Sequence, residues 1–375
     1  LGLVGSEMCI RDRSWTYGNP NTYRLCMTFI ESTYTTTHHL RTLETSALGL
    51  GCMGLSQGYG PTDDGESLAA IHAALDSGIT MLDTAMSYGQ GHNEEIVGRA
   101  VSTSGIARDS LQIATKLGIV RREGGVQLDA HPSRIAAYCD ASLRRLGVET
   151  IDLYYLHRVD PQVPIEESIA AMADLVAQGK IRHLGVSEVT PEELRRAHAV
   201  HPIAAVQMEW SLMWREPELS IVPAARDLGV GLVPYSPLGR GLLSGRIDAG
   251  TVADSPFRAN DPRFNGDHLS ANLSQVAALT HLARSWDMTT AQVALAWLLS
   301  QGDDVVPIPG TRRADRVREN ASAMSCRLTA EELEMLNSAV PAGAWEGDRR
   351  SFAVPVTARS TPHRDERQAK DTDAR

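Results

Sequence analysis

The sequence IDLYYLHRVDPQVPIEESIAAMADLVAQGKIRHLGVS, residues 151–187, decides the fold. It begins with Ile151–Leu156, an apolar run of the kind that forms a strand buried on both faces of a parallel sheet. Ile165–Gln178 then has the apolar spacing of a helix, and Gly179 is a common helix terminator. Ile181–Val186 is a second buried run. This order predicts two parallel strands joined by a helix.

The same alternation continues on both sides of this unit. Further strand-like runs are predicted at Leu48–Met53, Met81–Thr84, Leu111–Lys116, Ala205–Met208, Val230–Tyr235 and Val305–Ile308. Further helices are predicted at Glu66–Ser77, Glu94–Val101, Pro132–Leu146, Pro191–Val200, Glu218–Leu228 and Thr290–Ser300. Strands alternating with helices over roughly 300 residues predict an α/β protein, a single (β/α)8 TIM barrel. A doubly wound sheet is the alternative, and it is disfavoured because no G-x-G-x-x-G motif comes after a predicted strand.

Three segments depart from this alternation. Gly239–Ser270 is rich in Gly, Pro, Asp and Arg, which predicts a long loop over a site. After the last strand, Arg312–Ala323 and Thr329–Val340 both have helical spacing, so an extra C-terminal helix is expected. An N-terminal hairpin is also expected before the first barrel strand.

The two ends of the chain differ from the rest. Leu1–Arg13 has no amphipathic period, and the natural start is predicted at Met27. Residues 1–38 are therefore predicted to be a disordered and partly non-native leader. Residues 39–345 are predicted to form the barrel. Residues 346–375 are predicted to be a C-terminal loop and a disordered tail, because the last part of the chain is almost wholly polar and charged.

The composition excludes several classes of protein. The 375 residues are 42% hydrophobic and 22% charged, which is typical of a globular chain and not of a disordered one. No apolar stretch is long enough to span a bilayer. A formal net charge of −10 argues against a nucleic-acid or acidic-membrane binder. The five cysteines are scattered without a C-x-x-C pair, which favours the reducing cytoplasm.

Four reactive side chains lie at or just after the ends of consecutive predicted strands. Asp83, Lys116 and His157 end the second, third and fourth strands, and Tyr88 follows Asp83 closely. Each of them taken alone could have a structural role, as a cap, a loop contact or a solvated group. Because the C-terminal strand ends of a barrel meet at one face, we expect the four to lie together as a catalytic group.

This combination of side chains has a definite chemistry. A tyrosine with a pKa of about 10 is a poor acid at neutral pH, and a neighbouring Lys116 ammonium is expected to lower the pKa of Tyr88. Tyr88 can then protonate a carbonyl oxygen. Asp83 would pair with the lysine, and His157 would orient the same oxygen. None of these side chains can deliver a hydride, so a cofactor is required.

In its motifs the chain resembles the aldo-keto reductase superfamily, from about Leu40 to Val340. The motifs are Asp83-Thr84-Ala85-x-x-Tyr88-Gly89, Asn93-Glu94, Ala114-Thr115-Lys116, Leu156-His157, Gly185-Val186-Ser187, Pro234-Tyr235-Ser236-Pro237-Leu238 and Ile308-Pro309-Gly310-Thr311. The resemblance implies a TIM barrel without a metal and a tetrad of Asp83, Tyr88, Lys116 and His157. It implies reduction of aldehydes or ketones to alcohols, with hydride from the nicotinamide C4 of NADPH and a proton from Tyr88. A monomer or homodimer of the bacterial, fungal and plant branch, which acts on small aldehydes, is implied as well.

The same resemblance implies which residues hold NADPH. Ser187 and Gln207 would bind the carboxamide, and Tyr235 would stack on the nicotinamide ring. Arg312 and Arg316, expected on one face of a helix, would bind the 2′-phosphate. The full implied set is Ser187, Gln207, Tyr235, Ser236, Leu238, Arg240, Gly241, Leu242, Gly310, Thr311, Arg312, Arg316, Glu319 and Asn320.

Glu188 departs from the family's pattern, in which asparagine is common at this position. An ionised carboxylate only accepts hydrogen bonds, so Glu188 is expected to accept one from the carboxamide NH₂. Two other functions stay open. One is a regulatory NADPH sensor with little turnover. The other is a metal-dependent barrel hydrolase using Asp83, Lys116 and His157, which would need more histidine and carboxylate ligands at the strand ends.

Overall fold

The computed structural model describes residues 37–123 and 125–349. The predicted leader up to residue 36 and the predicted tail beyond residue 349 lie outside the described residues. The strands are β1 (Thr37–Leu40), β2 (Leu43–Ser46), β3 (Gly49–Gly51), β4 (Met81–Asp83), β5 (Gln112–Leu117), β6 (Ile119–Arg122), β7 (Gly125–Leu128), β8 (Ile151–Leu156), β9 (Ile181–Ser187), β10 (Ile203–Glu209) and β11 (Gly231–Tyr235). The α-helices are α1 (Asp64–Asp76), α2 (His92–Thr103), α3 (Pro132–Leu146), α4 (Ile165–Ala177), α5 (Pro191–Val200), α6 (Ile221–Asp227), α7 (Ala249–Ala253), α8 (Pro256–Ala259), α9 (Gly266–Ser285), α10 (Thr290–Leu299), α11 (Ala314–Ser322) and α12 (Ala330–Ala339).

Seven of these strands form one parallel sheet in the order β11-β10-β9-β8-β5-β4-β3. Helices connect most neighbouring strands, and several helix N-termini are capped by a side chain. At α5, for example, the Thr190 hydroxyl accepts from the Glu193 N–H while the Glu193 carboxylate accepts from the Thr190 N–H. The alternation read from the sequence is therefore confirmed as a parallel α/β barrel.

The eighth predicted strand closes the barrel without forming a regular ladder. On one side, the Leu232 N–H donates to the Asp304 carbonyl at 2.7 Å, and on the other the Gly49 N–H donates to the Pro307 carbonyl at 2.9 Å. Pro307 and Pro309 have no N–H to donate. Residues 305–308 therefore join both edge strands but do not form a strand of their own, contrary to the prediction.

Glycine is required where the barrel closes. A Cβ on Gly51 would lie 2.6 Å from the Ile308 carbonyl oxygen, and one on Gly310 would lie 2.5 Å from the Gly51 carbonyl oxygen. A side chain at either position would separate the two chains. The glycines of β3 therefore allow the first strand to approach residues 308–310 closely enough to close the barrel.

The predicted N-terminal hairpin is formed by β1 and β2, which pair antiparallel. It covers the end of the barrel where the strands begin, because a Cβ on Gly231 would lie 2.6 Å from the Leu40 Cα. Leu40 is fully buried in one cluster with Met81 and Val233 inside the barrel. The hairpin starts at Thr37, and the barrel was predicted to begin at residue 39.

The segment predicted as one long loop, Gly239–Ser270, is largely structured. It contains a 3-10 helix at Gly239–Ser244, the short helices α7 and α8, and the first turns of α9. The helix α9 was not predicted because Gly266 and Asp267 continue the polar, Gly-rich composition of the loop. The hairpin of β6 and β7, which follows β5 directly, was not predicted either. The extra C-terminal helix is α12.

Candidate active site

Asp83 and Lys116 form a buried ion pair where β4 and β5 end. The Lys116 ammonium also donates to the Thr84 carbonyl at 2.8 Å, and the Gln207 amide donates to the second Asp83 oxygen at 2.8 Å. The two charged side chains are only 0% and 3% exposed, so each depends on the other for compensation. Burial acts to lower the pKa of Lys116, but Asp83 and Tyr88 raise it above its ordinary value. The lysine is therefore charged at neutral pH.

Tyr88 lies beside this pair in the loop after β4. The Lys116 Nζ is 5.2 Å from the centroid of the Tyr88 ring. Burial raises the pKa of Tyr88, and the Lys116 ammonium opposes this rise without cancelling it. The predicted lowering of the pKa of Tyr88 is therefore wrong, because burial outweighs the effect of Lys116. The Tyr88 hydroxyl is therefore protonated at neutral pH.

His157 directly follows β8 and is a neutral histidine. Burial, with the charges of Arg158 and Lys116, holds the pKa of His157 well below its ordinary value. Its Nδ1 is buried and has no hydrogen-bond partner in the described part of the chain. A neutral imidazole has one N–H to donate, which suits a group that orients an oxygen.

Asn93 and Glu94, at the start of α2, hold the strand ends behind the tetrad. The Thr84 hydroxyl donates to the Asn93 amide oxygen at 2.6 Å, and the Thr115 hydroxyl donates to Glu94 at 2.6 Å. The second oxygen of Glu94 accepts from Arg145 Nε at 2.6 Å. Because Thr84 and Thr115 neighbour Asp83 and Lys116 in sequence, these bonds fix the positions of the ion pair.

Ser187 and Gln207 lie at the same end of the barrel as the tetrad. The Ser187 hydroxyl accepts from Arg158 Nη1 at 3.0 Å, while Gln207 donates to Asp83. The structure thus brings both predicted carboxamide ligands next to the catalytic candidates. Arg158 was not predicted as a site residue, and the only signal for it in the sequence is its place directly after His157.

Tyr235, at the end of β11, is joined to Glu188. The Tyr235 hydroxyl donates to Glu188 Oε1 at 3.0 Å, and the other Glu188 oxygen pairs with Arg349 Nη2 at 2.8 Å. Burial acts to raise the pKa of Glu188, but Arg349 and Arg158 lower it to about 2. Glu188 is therefore an ionised carboxylate whose two oxygens are both bonded within the protein.

Arg349 lies in the segment predicted to be a C-terminal loop. Its guanidinium carbon lies 5.3 Å from the centroid of the Trp214 ring, and its Nη1 donates to the Tyr235 hydroxyl at 3.3 Å. Trp214 therefore borders the site. Trp210 instead packs edge-on against Trp297 with ring centroids 6.2 Å apart, deep in the core.

The predicted cofactor loop after β11 winds through left-handed backbone. Ser236 and Gly241 have φ angles of 48° and 95°. Leu242 is fully buried and Leu238 is partly buried against the same core, so the two leucines anchor the loop. Glycine is the residue that adopts such a backbone without strain, which accounts for Gly241.

Arg240 lies in this loop with its side chain turned inward. Its Nε pairs with Asp261 at 3.1 Å, and the pair is 3% and 0% exposed. Asp261 also pairs with Arg263, which in turn pairs with Glu209 at the end of β10. The guanidinium of Arg240, one of the residues implied to hold NADPH, therefore belongs to a buried ion network that ties the loop to the barrel.

The predicted phosphate-binding residues surround the N-terminus of α11. Gly310 and Thr311 precede the helix, and so does Arg312, because the helix begins at Ala314. Arg312 and Arg316 therefore do not share a helix face, contrary to the prediction. Arg312 instead donates to the carbonyl oxygens of Tyr59, at 2.8 Å, and of Pro61.

Arg316 lies in the first turn of α11. Burial and the neighbouring charges of Arg313 and Arg246 lower the pKa of Arg316. Its Nε is buried and has no hydrogen-bond partner among residues 37–123 and 125–349. Further along the helix, Glu319 accepts from Arg246 at 2.9 Å, and Asn320 is 5% exposed.

Arg258, which follows the cofactor loop, was not predicted as a site residue. Burial and the charges of Arg316, Arg312 and Arg240 lower its pKa. Its guanidinium stacks on the Tyr59 ring at 5.2 Å. Arg258, Arg312 and Arg316 thus form a cationic cluster in which the charges repel one another, and nothing in the sequence spacing indicated this long-range grouping.

Two features are absent from the described part of the chain. Within residues 37–123 and 125–349, no three His, Cys, Asp or Glu side chains are placed to hold one metal ion. None of the helices in that part of the chain has the length and apolar character needed to cross a membrane.

A tyrosine beside a buried lysine–aspartate pair at the C-terminal face of a (β/α)8 barrel is the arrangement of a barrel oxidoreductase. The chain belongs to the aldo/keto reductase family, whose profile matches residues 47–341. It is 44% identical over 311 residues to a protein of Glycine max described as probable aldo-keto reductase 1, a match that covers 82% of this chain and 88% of the relative.

Solved structures of the family are similar in fold. The glycerol dehydrogenase AKR11B4 from Gluconobacter oxydans is 32% identical, with a TM-score of 0.75, and the match covers 88% of this chain and 98% of that one. An aldo/keto reductase from Klebsiella pneumoniae, solved in complex with NADP and acetate, is 27% identical with a TM-score of 0.64, and the match covers 83% and 96% of the two chains. Proteins of this family use NADP(H).

Proposed function

We propose that this protein reduces aldehydes or ketones to alcohols with NADPH, and that Tyr88 donates the proton. The observation that carries this proposal is the position of Tyr88, whose ring is 5.2 Å from the Lys116 ammonium and 5.8 Å from the His157 ring. The NADP bound in the Klebsiella pneumoniae relative supports the choice of cofactor.

The charges at this end of the barrel fit NADPH. The pKa values of Arg258 and Arg316 are lowered by burial and by neighbouring guanidinium groups, so a bound anion is favourable there. The buried Arg316 Nε lacks an acceptor within the described residues, and a 2′-phosphate would supply one. Gly310 and Thr311 precede the α11 N-terminus, which itself attracts phosphate. Glu319 and Asn320 would contact the adenine.

The nicotinamide end would lie among the residues at the ends of β9, β10 and β11. Ser187 and Gln207 would bind the carboxamide, and Tyr235 would stack on the ring. The backbone of Ser236, Leu238, Arg240, Gly241 and Leu242 would follow the pyrophosphate. NADPH bound there supplies the hydride for the carbonyl carbon.

The tetrad then handles the proton. Tyr88 donates its phenolic proton to the carbonyl oxygen as negative charge develops on that oxygen. Lys116 stabilises the phenolate that remains, and Asp83 keeps the ammonium in place. Neutral His157 donates a hydrogen bond to the same oxygen. Because burial raises the pKa of Tyr88, its proton stays in place until the oxygen becomes basic.

The test follows the loss of NADPH absorbance with para-nitrobenzaldehyde as substrate. The wild type should turn over, and Tyr88→Phe should lose turnover while it still binds NADPH, measured by quenching of tryptophan fluorescence. Tight NADPH binding without turnover on a panel of aldehydes and ketones would favour the sensor hypothesis. If the wild type neither binds NADPH nor consumes it, the proposal fails.

We further propose that the substrate is a small molecule with an aldehyde or ketone group, and that the protein acts in the cytoplasm as a monomer or homodimer. The unpaired thiols of the buried residues Cys52 and Cys139 fit a reducing compartment.

A further inference from the structure

The last described segment of the chain is held against the barrel end that contains the tetrad. The Glu346 N–H donates to the Asn272 amide oxygen at 2.8 Å, and the Asn272 amide donates back to the Glu346 carbonyl at 2.9 Å. A Cβ on Gly347 would lie 2.8 Å from the Arg263 backbone nitrogen, so the two chains are in close contact. These contacts fix the backbone just before Arg349, and they therefore hold Arg349 near the site.

Arg349 contacts three groups of the site at once. Its Nη2 pairs with Glu188 at 2.8 Å, its Nη1 donates to the Tyr235 hydroxyl at 3.3 Å, and its guanidinium stacks on Trp214 at 5.3 Å. The arginine side chain is only 15% exposed, and that of Glu188 is 11% exposed. An ion pair this far from water restrains both side chains more than a surface pair does.

Glu188 is the centre of this arrangement. Its backbone is in the left-handed region, with φ of 53°, a conformation that non-glycine residues keep only where surrounding contacts enforce it. Its Oε1 accepts from the Tyr235 hydroxyl at 3.0 Å and from the Glu209 N–H at 3.2 Å. Each carboxylate oxygen therefore has a defined partner, and the Tyr235 hydroxyl is held from two sides.

We propose that Arg349 is a positioning residue, which acts through Glu188 to fix Tyr235. This inference rests on the proposed function, in which Tyr235 stacks on the nicotinamide ring. It makes the C-terminal segment, Glu346–Arg349, a part of the active site. A ring held at its hydroxyl presents one face at one angle, and hydride transfer depends steeply on such alignment.

Removal of Arg349 should change the protonation of Glu188, which the loss of a purely structural contact would not do. The charged and titratable groups around Glu188 are Arg349, Arg158, Tyr235 and Glu209. Without Arg349, one cation is lost, and among the described residues the buried carboxylate keeps Arg158 as its counter-charge. Burial then acts to raise the pKa of Glu188, which is about 2 in the intact protein.

The experiment compares Arg349→Gln, Arg349→Lys, Glu188→Gln and the double variant Arg349→Gln/Glu188→Gln in the full chain. For Arg349→Gln we expect kcat with para-nitrobenzaldehyde to fall about ten- to a hundredfold, while the aldehyde KM changes less than about threefold. Arg349→Lys should retain more kcat than Arg349→Gln but less than the wild type, because it keeps the charge and loses the stacking on Trp214 and the second hydrogen bond. The double variant should regain at least about fivefold over Arg349→Gln, because two amides leave no unpaired carboxylate.

Two further readouts separate positioning from loss of stability. The Kd for NADPH, from tryptophan quenching, should rise about three- to tenfold in Arg349→Gln. Its kcat/KM should also recover in part along an acidic limb, because protonation of Glu188 removes the unpaired carboxylate as Glu188→Gln does, and without Arg349 this protonation occurs at a higher pH than in the wild type. Neither the wild type nor the double variant should show this limb. The matched control is Arg226→Gln, which breaks an ion pair with Asp304 at the opposite end of the strands and should change none of these values.

Two outcomes would overturn the inference. One is an Arg349→Gln protein with the kcat, Kd and pH profile of the wild type. The other is a loss that is the same in the double variant and that lacks the acidic limb, since it would come from general destabilisation. A wild type that turns over NADPH in either case leaves the proposed function intact. A wild type without NADPH binding would end both proposals together.

Discussion

The rings of Tyr88 and His157 stand nearly perpendicular, at 84°, with their centroids 5.8 Å apart. This edge-to-face packing keeps the two polar side chains together at the barrel end. Burial raises the pKa of Tyr88 and, with the charges of Arg158 and Lys116, lowers that of His157. Both side chains are therefore neutral at neutral pH. Of the two, only the tyrosine can lose a proton and have the product stabilised by the nearby Lys116 ammonium.

Tyr88→Phe should reduce kcat for carbonyl reduction by about 10²- to 10⁴-fold, because it removes the proton donor. NADPH binding should stay within about twofold, because the ring remains in place. The matched control is Tyr155→Phe, which removes a hydroxyl from another ring close to Lys116, 5.7 Å from its ammonium. A Tyr88→Phe protein as active as the Tyr155→Phe protein would contradict the assignment of the proton donor.

His157 should not produce a titration in the rate of reduction between about pH 6 and pH 8. Its pKa in the folded protein is well below the ordinary 6.5, so the imidazole is neutral across this range. The pH profile of kcat checks this expectation. A fall in rate as the pH rises through about 6.5 would mean that an imidazolium is the acid instead.

The lowered pKa of His157 also predicts how the free energy of unfolding depends on pH. Below about pH 6.5 the unfolded chain binds a proton at His157 and the folded chain does not, so the free energy of unfolding falls as the pH falls. His157→Gln removes this contribution. The difference in Tm between about pH 7 and pH 5 should therefore be smaller for the variant than for the wild type. An unchanged difference would show that His157 is not buried as a neutral group.

The sequence was sufficient for the features that depend on local patterns. Ile151–Leu156 and Ile181–Val186 are strands because their residues are continuously apolar, and Asp83, Lys116 and His157 were found by their place at strand ends. Barrel geometry then explains why residues far apart in the chain meet.

Features that depend on long-range contacts were not predicted. Arg349 and Glu188 form an ion pair although they lie far apart in the sequence. The residues around each of them do not indicate that the two meet. Arg258 joins the cationic cluster only because its segment folds back onto Tyr59. The sign of the Tyr88 pKa shift was missed because burial cannot be read from the spacing of Tyr88 and Lys116.

Loss of Lys116 should destabilise the fold as well as abolish activity. Lys116→Met leaves the Asp83 carboxylate buried without its cation, which should lower the free energy of unfolding by about 3–5 kcal/mol. Urea unfolding measures this change. The double variant Lys116→Met/Asp83→Asn should regain much of the stability, because an amide can still accept the hydrogen bond from Gln207. Equal stability of the single and double variants would contradict the compensation between the two charges.

Arg316 should discriminate between the two nicotinamide cofactors. Its Nε is buried without an acceptor among the described residues, and Arg316→Gln removes the charge that a 2′-phosphate would neutralise. The Kd for NADPH should rise about ten- to a hundredfold, the equivalent of a charge-assisted hydrogen bond, while the Kd for NADH changes less than about twofold. The control is Arg318→Gln on the exposed side of the same helix, which should leave both constants unchanged. Fluorescence titrations with each cofactor give the four constants. If Arg316→Gln weakens NADH as much as NADPH, the arginine supports the helix and does not bind the 2′-phosphate.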